Sequence, residues 1–220
     1  MKKLLIFDCD GTLVDTIQDV AICFNGALEH FGFPTYPIQD YGRIVGGNLE
    51  TIVSRLLPED ARTVENIDNV KTKYRALYSA SDKPNTKPFA GIVEALDILK
   101  AEGFVLSINT NKGQALTDAL IEKVFKKDLF TSVVGYEESR PSKPDPYGVE
   151  MICSECNIPK SQAVYIGDGR SDINTAHNAQ IPCVFVTWGQ GTEEDSRDPR
   201  IAAVVNSVRE LTAVLMQGNL

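Results

Sequence analysis

The sequence predicts an α/β protein with a parallel-sheet core and an inserted helical segment. Three observations lead to this prediction. Short apolar runs alternate with amphipathic helical patterns over most of the chain, as in β-α-β units. Acids or a hydroxyl residue follow three of the predicted strands, where parallel sheets bind ligands. Between 17 and 82 the alternation stops and helical patterns alone remain.

The elements of the predicted Rossmann-like core follow from apolar spacing. The first strand, 4–8, is a continuous apolar run that ends in an acid, and the helix 92–101 has apolar residues at helical spacing before Glu102-Gly103 ends it. The remaining predicted strands are 104–109, 132–135, 163–167, 183–187 and 203–206, and the remaining predicted helices are 114–125, 147–156, 173–178 and 208–216.

The segment that breaks the alternation is predicted to be a helical cap. Its helical patterns cover 17–31, 49–57 and about 61–79. The polar, proline-containing stretch 81–88 is typical of a return linker, and Asp15-Thr16 is the outgoing one. We therefore predict a core domain of residues 1–16 and 83–220 and a cap domain of residues 17–82, which closes over bound substrate.

Composition excludes several classes of function. The chain has 220 residues, 43% of them hydrophobic and 24% charged, with a net charge of −8 and no Lys/Arg cluster. These values argue against a nucleic-acid or membrane partner. The apolar run at the start is too short for a signal peptide, and no segment approaches a membrane span. Five scattered cysteines fit reduced thiols. We expect a cytoplasmic monomer or homodimer.

Two acids at the exit of the first strand are the most informative feature. Asp8 and Asp10 flank Cys9, and the chain turns at Gly11. Two anions this close are costly unless a cation lies between them or one is protonated. An acid pair that only caps backbone amides is the alternative, but a cap needs one acid. The pair predicts a bound metal, a proton-transferring acid, or both.

This strand and turn resemble the first motif of the haloacid dehalogenase superfamily of phosphatases. Three later segments resemble its other motifs in the expected order. They are 107–111 with Thr110 after a strand, 143–146 with Lys143 before a helix, and 166–172 with a second acidic pair. The resemblance covers most of the chain and is weakest between about 15 and 88. Within the superfamily, the chain is most similar to the phosphoglycolate phosphatase group, as shown by Asp-Gly-Thr-Leu-Val-Asp-Thr at 10–16 and Thr-Asn-Lys at 110–112.

The resemblance implies a covalent mechanism with a role for each motif residue. Asp8 is expected to be the nucleophile that forms an aspartyl-phosphate, and Asp10 the general acid and base. Thr110 is expected to bind a phosphoryl oxygen, and Lys143 to place positive charge on the phosphoryl group and the nucleophile. Asn111 is a weaker candidate for a substrate contact.

The resemblance also implies Mg²⁺ as the cofactor and a small phosphorylated metabolite as the substrate. Asp8, Asp168 and the backbone carbonyl of Asp10 are the expected ligands, since Mg²⁺ prefers hard oxygen ligands. Asp172 is expected to hold metal-bound water or to orient Lys143. An ordinary first-turn acid near a helix dipole is the alternative for Asp172.

Substrate selection is expected to come from the cap. A glycine-rich turn within 41–48 lies between two helical patterns and includes Gly46, Gly47 and Asn48. In phosphatases of this type such a turn reaches into the site. Arg43 is a candidate partner for a carboxylate or second phosphate of the substrate, and a surface arginine is an equally good interpretation.

Several related functions stay open at this point. An inorganic pyrophosphatase, a phosphosugar phosphatase or mutase, and a phosphonate hydrolase with a cap lysine such as Lys71 or Lys73 share the chemistry. A signalling receiver domain also combines acids, Thr, Lys and Mg²⁺, but its phosphorylated Asp follows a later strand and it needs no cap. A silent binding protein is disfavoured because all four motifs retain their chemical groups.

Overall fold

A computed structural model describes residues 3–218 and 220. Its strands are β1 (Leu4–Phe7), β2 (Val14–Asp15), β3 (Lys87–Pro88), β4 (Val105–Gly113), β5 (Ser132–Tyr136), β6 (Ala163–Gly167), β7 (Cys183–Val186) and β8 (Ile201–Val205). Its helices are α1 (Ile17–His30), α2 (Tyr41–Ile44), α3 (Leu49–Leu56), α4 (Val64–Ala80), α5 (Ile92–Ala101), α6 (Gln114–Val124), α7 (Tyr147–Glu155), α8 (Arg170–Ala179), α9 (Glu193–Ser196) and α10 (Val208–Gln217).

The central sheet confirms the predicted α/β fold. Within the described residues its strand order is β5-β4-β1-β6-β7-β8, and all of its strands are parallel. Strand β1 lies in the middle, with Leu4 opposite Val105 on one side and Ala163 on the other. The chain reverses its direction of travel across the sheet here, so the carboxyl end of β1 lies at the switch point where such folds bind ligands.

Both faces of the sheet are covered, which explains the uninterrupted apolar run of β1. Leu5 and Phe7 belong to a core cluster on one face, and Leu4 and Ile6 to a cluster on the other. All four side chains are fully buried. A strand with two buried faces needs apolar residues at every position rather than at alternate ones, and this run therefore fixes β1 as a central strand.

Helices α1 to α4 enclose a third hydrophobic cluster of their own. Its aromatic centre is formed by Phe24 on α1, stacked on Tyr74 of α4 with ring centroids 3.8 Å apart. Tyr78 stacks on Tyr74 in turn, at 5.6 Å. We call these four helices the cap. The division into domains at residues 16–17 and 82–83 stays a prediction.

The two connections between cap and sheet pair with each other, a feature that the sequence did not predict. Strands β2 and β3 form a two-stranded antiparallel ribbon. Next to it, the buried carboxylate of Asp19 on α1 accepts hydrogen bonds from Asn85 N–H and Nδ2 and from Thr86 Oγ1, at 2.7–3.0 Å. The ribbon and these bonds hold the outgoing and returning chain together beside the end of β1.

Several predicted boundaries were wrong by a few residues. Helix α4 begins at Val64 rather than near 61, because Thr63 caps it and 59–61 form a 3-10 turn. Helix α8 begins at Arg170 rather than 173, and β4 continues to Gly113 rather than ending at 109. In the described part of the chain, no helix is both long and apolar enough to cross a membrane.

Candidate active site

Neighbouring strand ends bring the predicted acids together. Because β4, β1 and β6 are adjacent and parallel, Asp8, Thr110 and Asp168 all lie at one edge of the sheet. Carboxylate oxygens of Asp8, Asp168 and Asp172 lie within 4.8 Å of one another, and all three residues are buried. They line one wall of a cavity of about 980 Å³ between the sheet and the cap.

Lys143 ties this acidic cluster together. Its Nζ lies 2.9 Å from Asp8 Oδ1 and 2.7 Å from Asp172 Oδ1, and its side chain is 3% exposed. Burial opposes the charged ammonium, but the carboxylates of Asp172 and Asp8 outweigh it and raise the pKa of Lys143 well above its usual value. The lysine is therefore a fixed positive charge directly beside the predicted nucleophile.

The acids, if all were ionised, would carry more negative charge than one lysine neutralises. Burial raises the pKa of Asp8 to about 6, against the lowering effect of Lys143. Burial raises the pKa of Asp168 to about 8, with Asp172 and Asp8 adding to the effect. Three carboxylates and one ammonium favour a divalent cation, which would stabilise the ionised acids. The donor set, all carboxylate oxygen, fits Mg²⁺.

Asp168 sits in a cradle that sequence reasoning missed. Its Oδ1 accepts from Thr12 Oγ1 at 2.9 Å, and its Oδ2 accepts from the backbone N–H of Gln190 at 2.8 Å. A Cβ on Gly189 or Gly191 would overlap atoms of Asp168, so only glycine lets this loop approach. The available signal was the Trp-Gly-Gln-Gly run directly after a predicted strand.

Asp172 acts on its neighbours through both oxygens. Oδ1 accepts from Lys143, while Oδ2 accepts from the backbone N–H groups of Asp168 and Gly169 at 3.2 and 3.0 Å. These bonds close the first turn of α8 and fix the backbone that carries Asp168. Of the two roles expected for Asp172, the contacts favour orientation of Lys143 over the holding of metal-bound water.

Asn111 lines the cavity, and its side-chain amide is hydrogen-bonded to the backbone of Lys143. Its Nδ2 donates to the carbonyl of Lys143 at 3.2 Å, and its Oδ1 accepts from the N–H of Lys143 at 2.9 Å. The amide is engaged at both ends, because the end of β4 lies against the loop that carries the lysine. The side chain therefore positions Lys143.

Replacing Asn111 with Ala is expected to lower kcat about tenfold and to leave KM nearly unchanged. Two hydrogen bonds to the Lys143 backbone are lost, each worth about 1 kcal/mol, and the ammonium loses its alignment. Steady-state kinetics measure both constants. An increase in KM without loss of kcat would instead support the substrate contact expected from the sequence.

The remaining predicted residues line the same cavity. Thr110 is buried at its wall, and α6 begins shortly after it. Arg43, Gly46 and Gly47 lie on the cap side, where Gly47 adopts a φ of +90° that favours glycine. Asn48 also lines the cavity, but its Oδ1 accepts from Thr51 N–H and Oγ1, both at 2.9 Å, so its side chain caps α3.

Asp10 lies beside the cluster with 28% of its side chain exposed. Its Oδ1 accepts from Thr16 Oγ1 at 2.8 Å. Lys112, on the extension of β4, donates to both of its oxygens at 3.1 Å, and also to the hydroxyl of Tyr78 at 3.0 Å. Sequence reasoning assigned no role to Lys112 or Tyr78, since a lysine and a helical tyrosine 34 residues apart carry no visible signal.

Comparisons with known proteins point to one family. The family model of the haloacid dehalogenase-like hydrolases matches residues 5–186. Phosphoglycolate phosphatase from Psychrobacter arcticus is 32% identical over 202 residues, which cover 89% of this chain and 88% of the relative. The protein of the same name from Nitrosococcus oceani is 27% identical over 218 residues, or 98% of this chain and 97% of the relative.

A solved structure shows the same fold. The crystal structure of a candidate phosphoglycolate phosphatase from Lactobacillus delbrueckii subsp. bulgaricus superimposes with a TM-score of 0.91 at 25% identity, covering 98% of this chain and 99% of that one. The matched segment contains all four motifs that meet at the strand ends. The chain therefore belongs to the haloacid dehalogenase-like hydrolase family.

Proposed function

We propose that this hydrolase is a Mg²⁺-dependent phosphomonoesterase that works through an aspartyl-phosphate on Asp8 and acts on phosphoglycolate or a similarly small acidic phosphate. The observation that carries the proposal is the buried carboxylate of Asp8, held by Lys143 at the wall of a cavity. A nucleophile beside a fixed cation and a cation-binding acid cluster is what attack on a phosphate dianion requires.

In the first step a carboxylate oxygen of Asp8 attacks phosphorus and the ester P–O bond breaks. Asp10 gives its proton to the departing oxygen, and Lys143 stabilises the charge on the transferred group. In the second step water attacks phosphorus, its proton passes to Asp10, and the acyl-phosphate bond breaks. Phosphate leaves, and Asp8 is again a carboxylate while Asp10 again carries the proton.

When bound, Mg²⁺ would supply positive charge that offsets the repulsion of a carboxylate nucleophile and a phosphate dianion. Asp8 and Asp168 are the residues that would hold it, together with the backbone carbonyl of Asp10. Thr12, Gln190 and Asp172 then serve to fix Asp168 and its backbone for that task. Outer contacts of this kind orient metal ligands in many sites.

The names of the relatives support phosphoglycolate as the substrate. The carboxylate of such a substrate needs a cation on the cap side of the cavity, and Arg43 is the candidate because it lines that side on the glycine-rich turn. Arg55 is already engaged, since its Nη1 donates to the carbonyls of Ile44 and Gly46 and so shapes the turn.

A substrate panel tests this proposal. Phosphate release is measured with Mg²⁺ and with EDTA on phosphoglycolate, pyrophosphate, hexose phosphates, nucleotides and an aryl phosphate. We expect Mg²⁺-dependent release that is fastest on phosphoglycolate, and loss of release with EDTA. Fastest release from pyrophosphate or a hexose phosphate would contradict phosphoglycolate as the substrate and would favour that other compound. No release from any compound would refute the proposal as a whole.

Replacing Arg43 with Ala tests the carboxylate contact. We expect the KM for phosphoglycolate to rise about 10- to 100-fold, because a charge-assisted hydrogen bond is worth about 1.5–3 kcal/mol. The aryl phosphate, which has no carboxylate, should keep its KM. Arg62→Ala is the matched control, since Arg62 donates to the Leu57 carbonyl within the cap and does not line the cavity. An unchanged KM for phosphoglycolate would contradict this role of Arg43.

A further inference from the structure

Lys112 is a buried cation that joins the sheet to the cap. It lies on the extended carboxyl end of β4, and its side chain is 6% exposed. Its Nζ is 3.1 Å from both carboxylate oxygens of Asp10 and 3.0 Å from the hydroxyl of Tyr78. The same atom lies 4.5 Å from the centre of the Tyr78 ring. One ammonium thus contacts an acid of the active site and a tyrosine of helix α4.

This contact restricts how Asp10 can turn. The ammonium lies 3.1 Å from both carboxylate oxygens, and the hydroxyl of Thr16 donates to one of them, so the three contacts together restrict rotation of the carboxylate. Burial disfavours the charge on Lys112, but Asp10 and Tyr78 outweigh it and raise its pKa well above the usual value. A buried charge that loses its partners is strongly destabilising, so the ammonium has no inexpensive alternative position.

Tyr78 makes the arrangement depend on the cap. The tyrosine is fully buried near the end of α4, and its ring stacks on Tyr74, which stacks on Phe24. Its hydroxyl is therefore carried by the aromatic cluster at the centre of the cap. If the cap moves away from the sheet, the hydroxyl and the ring face leave Lys112, which then keeps Asp10 as its remaining partner among these residues.

We propose that Lys112 and Tyr78 are positioning residues that orient Asp10 toward the reacting oxygens, and that Tyr78 makes this orientation depend on contact between the cap and the sheet. The inference rests on the proposed function, in which Asp10 transfers the proton in both steps. It adds a purpose for a buried lysine and a cap tyrosine that do not contact the acid cluster of Asp8, Asp168 and Asp172 in the contacts described above.

The inference predicts a signature that depends on the leaving group. An alkyl phosphate needs the proton of Asp10 in the first step, whereas an aryl phosphate with a stable phenolate leaves without it. The second step needs Asp10 for both substrates. If Asp10 is wrongly oriented, the first step should therefore be slower for the alkyl phosphate but not for the aryl phosphate. With the aryl phosphate, the enzyme should accumulate as aspartyl-phosphate, because only the second step is slowed.

The test compares Lys112→Met and Tyr78→Phe with the unchanged enzyme on phosphoglycolate and on an aryl phosphate. For Lys112→Met we expect kcat/KM on phosphoglycolate to fall about 100- to 1,000-fold, the range of acid–base contributions. On the aryl phosphate kcat/KM should stay within about threefold, while kcat falls and a burst of phenolate appears. Tyr78→Phe should show the same pattern with about a tenfold loss.

Two matched control variants separate an effect on the orientation of Asp10 from an effect on the stability of the protein. Tyr41→Phe removes another buried cap hydroxyl, which donates to Asn25 Oδ1 at 2.7 Å away from the cavity wall. Lys83→Met removes the other ammonium over the Tyr78 ring, 4.8 Å from its centre. Neither should change the ratio of alkyl to aryl kcat/KM or produce a burst. Thermal melts of all variants confirm that the folded protein is being assayed.

The outcomes distinguish this inference from the proposed function. Suppose that the unchanged enzyme releases phosphate, and that Lys112→Met and Tyr78→Phe lower kcat/KM by the same factor for both substrates without a burst. This result overturns the positioning role and leaves the proposed phosphatase function in place. If Tyr78→Phe has normal kinetics while Lys112→Met does not, the dependence of the Asp10 orientation on the cap is overturned. An unchanged enzyme without activity on any substrate overturns the proposed function first.

Discussion

Asp8→Asn is expected to abolish turnover and to leave the fold intact. An amide is not a nucleophile toward phosphorus, and loss of a covalent nucleophile costs on the order of 10⁴-fold or more in kcat. The free energy of unfolding should stay the same or rise, because one of three crowded, buried carboxylates becomes neutral while Lys143 keeps Asp172 as its partner. Phosphate release and a thermal melt measure the two effects.

Glu122→Gln is the control for Asp8→Asn, since it neutralises an exposed acid on α6 that contacts no part of the site. Its rate should match that of the unchanged enzyme. If Asp8→Asn retained more than about a tenth of the rate, the covalent mechanism would be excluded, because no other acid of the cluster has both a lysine contact and a position at the end of β1.

Lys143→Met is expected to damage both activity and stability. Among the described residues, removing the ammonium leaves Asp8, Asp168 and Asp172 buried with no other cation in an ion pair with them, and loss of one partner of a buried ion pair costs about 3–5 kcal/mol. The rate should fall about 100- to 1,000-fold, since a charge on the transferred group is lost. Denaturant unfolding and steady-state kinetics measure these changes.

Added Mg²⁺ should compensate part of the stability that Lys143→Met loses. A cation bound by the acids replaces part of the missing charge, so Mg²⁺ should restore more stability to Lys143→Met than it adds to the unchanged protein. The rate should not recover, because the lysine also contacts the nucleophile. Lys123→Met is the control, since Lys123 donates to the Asp82 carbonyl on the surface. Equal stabilisation of both proteins by Mg²⁺ would contradict the shared-charge account.

The fold was predictable because its signals are local. The buried run of β1, the helical spacing in α5 and the strand-ending acids each depend on a few consecutive residues. The ribbon of β2 and β3 was not predictable, because each strand has two residues and gains its partner only when the chain returns more than 70 positions later. The start of α8 was misplaced because its first turn is polar.

The site was predictable where a residue acts through its own motif. Asp8, Asp168 and Lys143 follow from motif order and come together as parallel strands require. The hydrogen bonds of Asn111 to Lys143 were not predicted, because its partner is a backbone distant in sequence. Lys112 was missed for the same reason, since the folded chain alone places a cap tyrosine beside it.

The most direct test of the central claim is to trap and locate the phosphorylated residue. The enzyme, with Lys112→Met beside it, is mixed with an aryl phosphate and Mg²⁺, quenched in acid within one turnover, and treated with borohydride, which reduces an acyl phosphate to an alcohol. We predict that peptide sequencing finds homoserine at position 8, in larger amount for Lys112→Met. Turnover without this product, or modification of Asp10 or Asp168 instead, would contradict the account.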